Sequence, residues 1–334
     1  MSSDTYAHNP VTLLHIAAYL RQRGIKPLEI FKRAGIPPSV LLDATSWVSR
    51  DLCLALGGQL AALAGEPFPG SRVGQLFKLT DLGAWGRAVV AAPNLRQACR
   101  AAASGIGLLE QGTNLHLLTF ERHAQLRFGF RGSLGTNPLQ HLLGTLVILR
   151  KIALLAGAPE AVSVRFSLPY SRGVDVLEET HGPALEFGCE HDAILIDNEI
   201  LDQPLIGANA KAASAGPADT AMAIGVLVKQ SLPFQRPTIE SVAAQQNVSV
   251  RTLQRRLRDW GFSFEELLDD VRRSKTIELI SSGDNTMTEI AFLVGYSDTA
   301  HFSRAFKRWM GRSPREYVKS GVFGHAPGSG RPTV

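Results

Sequence analysis

Apolar positions in the front part of the chain fall mostly at helical spacing. Leu13, Leu14, Ala17, Ala18, Tyr19 and Leu20 predict a buried-face helix that starts near Val11 and ends near Gly24. Pro27–Ala34 reads as a second helix, stopped by Gly35-Ile-Pro-Pro38, and a third starts at Ser49-Arg-Asp51 and runs to about Ala64. Gly65–Gly70, rich in glycine and proline, reads as a loop. Trp85–Val90 and Leu95–Leu109 give two further helical stretches, separated by Ala92-Pro-Asn94. Around Asn114 the period shortens. Leu115–Phe120 and Ala124–Phe130 are short apolar runs, and Leu126-Arg-Phe-Gly-Phe130 alternates, which predicts a β-hairpin. Pro138–Ala156 returns to a long apolar helix, Val162–Leu168 and Ala193–Ile196 read as strands, and Val174–His181 reads as a short helix. The order predicts a mixed α+β unit, helices first and a small sheet behind.

After this unit the pattern changes. Gly207-Ala-Asn-Ala-Lys-Ala-Ala-Ser-Ala-Gly-Pro217 is rich in small residues and poor in anchors, and reads as a linker. Met222–Ser231 then opens a second, helical part, and Gly321–Val334 reads as a disordered tail. Within the second part the sequence repeats itself. Val242-Ala243 matches Ile290-Ala291, Asn247 matches Gly295 and Ser249 matches Ser297, all at an offset of 48. Further on the offset is 49: Leu253 matches Phe302, Arg255 matches Arg304 and Leu257 matches Phe306. A short helix, a tight turn and a longer helix, duplicated, is the pattern of two helix-turn-helix units. Asn247 and Gly295 are residue types that tolerate the left-handed backbone of a tight turn. Ser249 and Ser297 are each expected to cap the helix that follows.

The longer helices are two-faced. In the first, Val250, Leu253, Leu257 and Trp260 form an apolar stripe, and Arg251, Gln254, Arg255 and Arg258 share the opposite side. The repeat offset places Ala300, Ser303, Arg304 and Lys307 on the equivalent face of the second. Arginine and glutamine suit the base edges of guanine and adenine in a major groove; a solvated basic face is the plainer alternative for one such helix, and two in register argue against it.

Composition changes the picture only modestly. A chain of 334 residues with 45% hydrophobic content is long enough for two globular domains. The net charge of +5 is uneven: residues 1–215 hold 19 basic and 18 acidic side chains, residues 216–334 hold 16 and 12. Ala300–Lys319 carries six Lys or Arg against the single acid Glu316, which suits a phosphate-binding surface. Cys53, Cys99 and Cys189 are too scattered for a disulfide framework or a Cys-x-x-Cys metal site, and read as buried free thiols of a cytoplasmic protein. The N-terminus lacks a signal pattern, and no apolar run reaches a membrane-spanning length uninterrupted; Leu139–Ala156 comes closest but contains His141, Arg150 and Lys151.

Residues Thr238–Val318 resemble the DNA-binding domain of the AraC/XylS family of bacterial transcription regulators. The second half carries the signature: Ile290-Ala-x-x-x-Gly-Tyr-Ser, then His301-Phe-Ser-Arg-x-Phe-Lys307, then Gly311-x-Ser-Pro-x-x-Tyr317. The resemblance implies two three-helix subdomains joined by a long helix, here about Phe264–Ile280, with a recognition helix from each in successive major grooves of promoter DNA. The front part, with Asp81-Leu-Gly-Ala-Trp-Gly, Ala92-Pro-Asn-Leu-Arg-Gln-Ala98 and Leu201-Asp-Gln-Pro204, is similar to the arabinose-binding-like sensor domain of one branch of that family. That similarity implies a small-molecule effector, not arabinose in particular, and a homodimer; the family's usual role implies activation through RNA polymerase. The expected domains are residues 1–206 for sensing or dimerisation, 207–217 as linker and 218–320 for DNA binding, ahead of the tail at 321–334.

Arg251, Gln254 and Arg255 are the candidate base readers of the first recognition helix, with Arg258, a turn further on, against phosphate. In the second, Arg304 is the base or phosphate candidate, flanked by Thr299, Ala300 and Ser303; Ala300 offers only an apolar contact, as to a thymine methyl. His301, Lys307, Arg308 and Arg312 are candidate phosphate contacts or solvated groups. Phe302, Phe306, Trp260 and Trp309 read as core. In the front unit Trp85, His116, Arg127, Phe128 and His141 are candidates for lining a ligand cavity. His181 and His191 lie near Glu178, Glu179, Glu186 and Glu190, and read as a charged surface segment and not a metal site. No phosphate loop, metal-spaced histidine pair or nucleophile elbow is present, so neither a cofactor nor an enzyme is expected. A dimerisation or protein-interaction module without a ligand is the alternative for the front unit; size measurement and ligand titration discriminate the two.

Overall fold

The computed structural model describes residues 6–37, 40, 47–170, 173–206, 224–225, 227–229, 231–233, 237–259 and 263–319. The expected linker, the start of the helix at Met222, Trp260 and the expected tail lie outside them. The described residues divide into two compact units, one holding the elements up to Leu201 and the other the helices from Ile239 onward.

The first unit opens with a two-residue strand, β1 (Ala7–His8), paired antiparallel with β2 (Val48–Ser49). Between them lie helices α1 (Leu14–Gln22) and α2 (Pro27–Arg33). Then come α3 (Arg50–Ala64), α4 (Pro69–Leu76), α5 (Gly83–Val90) and α6 (Leu95–Gly105). The hairpin has strands β3 (Thr113–Thr119) and β4 (His123–Phe130), and the long apolar helix is α7 (Leu139–Ala153). The unit ends with β5 (Val162–Arg165), α8 (Val174–His181), β6 (Leu185–Glu186), β7 (Ala193–Asp197) and the single turn α9 (Asn198–Leu201).

Five strands form one sheet in the order β3-β4-β7-β5-β6, antiparallel except for the parallel pair β5 and β6. Register puts Leu126 opposite Ile194, Ala124 opposite Ile196 and Val164 opposite Ile194, so one face is continuously apolar, and all five of these residues are fully buried. The opposite face of β4 carries a polar ladder, in which Arg127 Nε donates to Gln125 Oε1 at 2.7 Å and Gln125 meets the ring of His123 at 3.0 Å. Helix α7 is a core helix: Leu143, Leu146, Val147, Leu149 and Ile152 are at most 2% exposed. Leu139–Ala156 is the one segment among the described residues whose length and mean hydropathy of 1.5 would suit a membrane crossing, and its apolar face is spent on this core. Lys151 turns its charge to the end of α4, donating to the carbonyls of Gly74 and Gln75 at 3.1 and 2.7 Å.

Two stretches singled out in the sequence meet. Asn94 pairs with Pro204, Leu95 N–H donates to the Gln203 carbonyl, and Arg96 forks onto both carboxylate oxygens of Asp202 at 2.8 Å. Several expectations need correction. Gly65–Gly70 was expected as loop throughout, yet Pro69 opens α4, with proline in its natural place at a helix start. His181 is not on a charged surface: it is 1% exposed and its Nε2–H donates to the Leu143 carbonyl at 3.1 Å. Of the three thiols, Cys53 and Cys99 are buried and Cys189 is half-buried.

The second unit holds α10 (Ile239–Gln245), α11 (Val250–Asp259), α12 (Phe264–Ser282), α13 (Met287–Leu293), α14 (Thr299–Met310) and α15 (Pro314–Lys319). Its second half packs on Ile280, Ile290, Val294, Phe302, Phe306 and Tyr317. Phe302 and Phe306 are thus core, as their spacing in the sequence predicts.

Candidate functional site

The repeat in the sequence becomes a repeat in the hydrogen bonds. Thr238 and Thr286 each close a capping box at the start of the short helix, with Ser241 and Glu289 as partners. At the turn, Gln246 N–H donates to Val242 and Val294 N–H to Ile290; Asn247 N–H donates to Ala244 and Gly295 N–H to Phe292. Val248 N–H then reaches back to the Ala243 carbonyl at 3.0 Å, and Tyr296 N–H to Ala291 at 3.0 Å. These matched bonds need a left-handed residue at one position. Asn247 has φ +50°, the one positive φ outside glycine among the described residues, and Gly295 has φ +78°.

The caps of the longer helices differ from expectation in one case. Ser249 Oγ accepts from Thr252 N–H at 3.1 Å and caps α11. Ser297 does not cap α14; Asp298 does, its Oδ1 accepting from His301 N–H at 2.7 Å. The physical reason is the extra residue that raises the repeat offset from 48 to 49: it falls between turn and cap, so Ser249 aligns with Asp298.

Behind these caps stand two exposed faces. On α11, Leu253 and Leu257 are buried at 0% and 1%, while Arg251, Gln254, Arg255 and Arg258 are all exposed. On α14, Phe302 and Phe306 are buried, Thr299, Ala300, His301, Arg304 and Lys307 are exposed, and Ser303 is half-buried. Arg251, Arg255 and Arg304 have no ion-pair partner among the described residues, so their guanidinium groups are available to an anionic or base-edge ligand. His301 Nδ1 faces the Asp298 carboxylate, whose pKa is lowered chiefly by the backbone hydrogen bond it accepts from His301. Arg308 pairs with Asp269 of α12 at 2.6 Å, which ties the second reading helix to the long helix.

A residue without any distinguishing local pattern holds the second turn in place. Arg272 of α12 is 4% exposed; its Nε donates to the Val294 carbonyl at 3.1 Å, a terminal nitrogen donates to Gly295 at 3.2 Å, and its guanidinium lies 4.7 Å from the centre of the Tyr296 ring.

The first unit holds a partly open cavity of about 80 Å³ between α1, α3, α4 and α7, lined mainly by apolar side chains such as Ile16, Leu60, Val73 and Ile148. Trp85 and His141 line it; Trp85 Nε1–H is already committed to the Ala102 carbonyl at 3.0 Å. Phe128 is buried beside His141 with ring centroids 6.5 Å apart. His116 is exposed on an open groove beside α6, and Arg127 belongs to the polar ladder of β4, so neither reaches this cavity. The polar lining that sequence reading missed is Glu110, 5% exposed, whose Oε1 lies 2.9 Å from His141 Nε2, with His8 buried next to both. Burial pushes the His8 imidazole down to about 4, so it is neutral at ordinary pH. Burial alone would raise the Glu110 carboxyl, but His141 and His8 outweigh it and hold it down, at about 2.

Comparison with known proteins agrees with this division. Residues 24–205 match the arabinose-binding domain of AraC transcription regulators, and residues 242–320 match a helix-turn-helix domain. The ornithine utilization regulator of Pseudomonas aeruginosa is 28% identical over 308 residues, spanning 88% of this chain and 91% of that protein. The transcriptional activator RhaS of Klebsiella pneumoniae is 41% identical over 78 residues, 23% of this chain and 28% of its own length. Among solved structures, the transcriptional regulator CdpR from Pseudomonas aeruginosa overlaps 92% of this chain and 98% of its own, at 21% identity and a TM-score of 0.44.

Proposed function

Because the chain belongs to the AraC family of transcription regulators, with an arabinose-binding-type domain ahead of a DNA-binding helix-turn-helix domain, we propose that its two exposed helix faces read promoter DNA under the control of a small-molecule effector. The observation that carries the DNA half is the pair of exposed polar faces, each set behind the same left-handed turn and side-chain cap. Arg251, Gln254 and Arg255 read base edges and Arg258 takes phosphate. Arg304 reads a base or phosphate in the neighbouring groove, beside Thr299, Ala300 and Ser303, with His301 and Lys307 toward the backbone. Residues 1–206 sense, 207–217 link and 218–320 bind DNA.

In a binding assay against a site substituted base by base, Arg255→Ala relaxes discrimination at one position by about 1–3 kcal/mol. A loss equal on specific and random DNA removes Arg255 from the base readers.

The effector half rests on the apolar cavity of the first unit, with a few polar side chains, such as Glu110, Gln140 and His141, in its lining. Effector binding there favours the transcriptionally competent state by a differential free energy, and DNA binding in turn raises effector affinity by the same factor. Activation, the role named in the relative RhaS, through contact with RNA polymerase and within a homodimer, completes the proposal. A metabolite at 100 times its dissociation constant raises the stability of the binding unit by about 2.7 kcal/mol, readable as a saturable melting shift. A compound that produces the shift but leaves promoter affinity and transcription unchanged is not the effector.

A further inference from the structure

His8, Glu110 and His141 come from three distant parts of the chain and place one donor atom each within 4.8 Å of one another. The backbone sets this up. His8 and Glu110 face each other across an antiparallel bridge, closed by Asn9 N–H to the Leu109 carbonyl at 2.7 Å and Gln111 N–H to Ala7 at 2.8 Å. His141 stands in the first turn of α7, next to Gln140, whose side chain is bonded to Pro67 and Gly70 at 2.9 and 3.0 Å. The His8 and His141 rings lie 4.8 Å apart, tilted by 45°.

What marks the cluster as more than packing is its unused hydrogen-bonding capacity. His8 is fully buried, yet neither Nδ1 nor Nε2 has a hydrogen-bond partner among the described residues. Glu110 Oε2 has none either, and the close approach of His141 Nε2 to Glu110 lacks hydrogen-bond alignment. Buried polar atoms left in this state are costly, and three neighbouring side chains that carry them call for a ligand that each can bind through one atom.

We infer that His8, Glu110 and His141 bind a divalent transition-metal ion. Two imidazoles and one carboxylate suit zinc or cobalt, whereas magnesium and calcium take oxygen donors. At bond lengths of about 2.0–2.2 Å, tetrahedral donors stand roughly 3.4 Å apart, so modest side-chain rotation closes the present spacing. Arg50 opposes the cation, but its guanidinium is held by the carbonyls of Gly112, Arg131 and Ser133. Glu110 and His141 also line the cavity, so a fourth coordination position opens into it for water or for a donor atom of a bound molecule.

The test uses the full chain stripped of metal and titrated with Co2+, with no effector or DNA present, so it is independent of the proposed function. One equivalent per chain is expected, with the visible absorption of a four- or five-coordinate ion, displaced by Zn2+. His8→Gln and His141→Gln should each weaken binding by more than the roughly 10–100-fold typical for loss of an outer-shell partner. His191→Gln, at an exposed histidine, should leave it unchanged. No stoichiometric uptake by the wild-type chain, or uptake that survives both substitutions, overturns the site. Should the buried variants fail to fold, x-ray absorption of the zinc-loaded wild type decides: a shell with two imidazoles supports the site, and a shell without them overturns it.

Discussion

Asp298 shows how one residue sets the frame of a reading helix. Its carboxylate accepts the N–H of His301 and meets the His301 ring, fixing the first turn of α14 and hence the direction in which Thr299, Ala300 and Arg304 leave the surface. Neighbouring Ser297 has the same capping chemistry but stands one position too early. Asp298→Ala should therefore lower the melting temperature of the DNA-binding unit and weaken DNA binding, whereas Ser297→Ala should leave the melting temperature unchanged; equal effects would contradict the cap assignment. The two left-handed turns were legible in the sequence because few residue types tolerate that backbone, so Asn247 and Gly295 carried their conformation with them. Arg272 was not legible. In the run Arg272-Arg-Ser-Lys275 it looks like any solvated cation, and only the fold shows that the carbonyls of Val294 and Gly295 converge on it. His8 and Glu110 escaped for a related reason, since no local spacing connects residues joined by a long-range backbone bridge.

At the scale of elements, α4 crosses α7 so closely that side chains are excluded from the contact. A Cβ on Gly70 would lie 1.9 Å from the Gln140 carbonyl oxygen, and one on Gly74 would lie 2.6 Å from that of Gly144. Glycine is a poor helix former in isolation, which is why this helix gave no readable periodicity while the β-hairpin, with clean alternation over Leu126–Phe130, did. Two glycine substitutions separate the effects. Gly58→Ala lies in α3 with nothing within 4 Å of the new methyl, and should stabilise by about 0.5–1 kcal/mol. Gly70→Ala should destabilise by at least as much, because backbone must move to admit it. Thermal unfolding of both proteins checks the opposite signs. Helix α8 carries a pH dependence of its own through His181, which burial pushes down to about 4 from an ordinary 6.5. Above pH 6.5 the imidazole is neutral folded or unfolded and its contribution is complete. As pH falls, the unfolded chain takes up the proton first, so about 3 kcal/mol is lost by the time pH passes below 4. His181→Gln should flatten the stability profile across that window, leaving the similar contribution of His8; an unchanged slope would show that His181 is protonated in the fold.

Across the DNA-binding unit as a whole, the feature that sets function is the distance between two reading faces. Helix α12 runs for 19 residues, about 28 Å of helix, capped by Ser263 and Glu266 at its start and by left-handed Gly283 at its end. Arg272, at the middle of the helix, binds the second repeat, and Arg308 returns from α14 to Asp269 in its first half. A rod of that length, fixed to α14 along its side, suits reading helices placed in successive major grooves about 34 Å apart on one face of the duplex. The reading predicts a specific pattern. Arg255→Ala should relax discrimination at one group of base pairs and Arg304→Ala at another, about 10 base pairs away. Because the two contacts share no partner, the double variant should lose the sum of the two effects to within about 0.5 kcal/mol. Binding measured over a library of substituted sites reads both quantities at once. If the two variants relax the same base pairs, or if the double variant is no worse than the poorer single one, the helices do not read separate grooves and one of the two faces has another purpose.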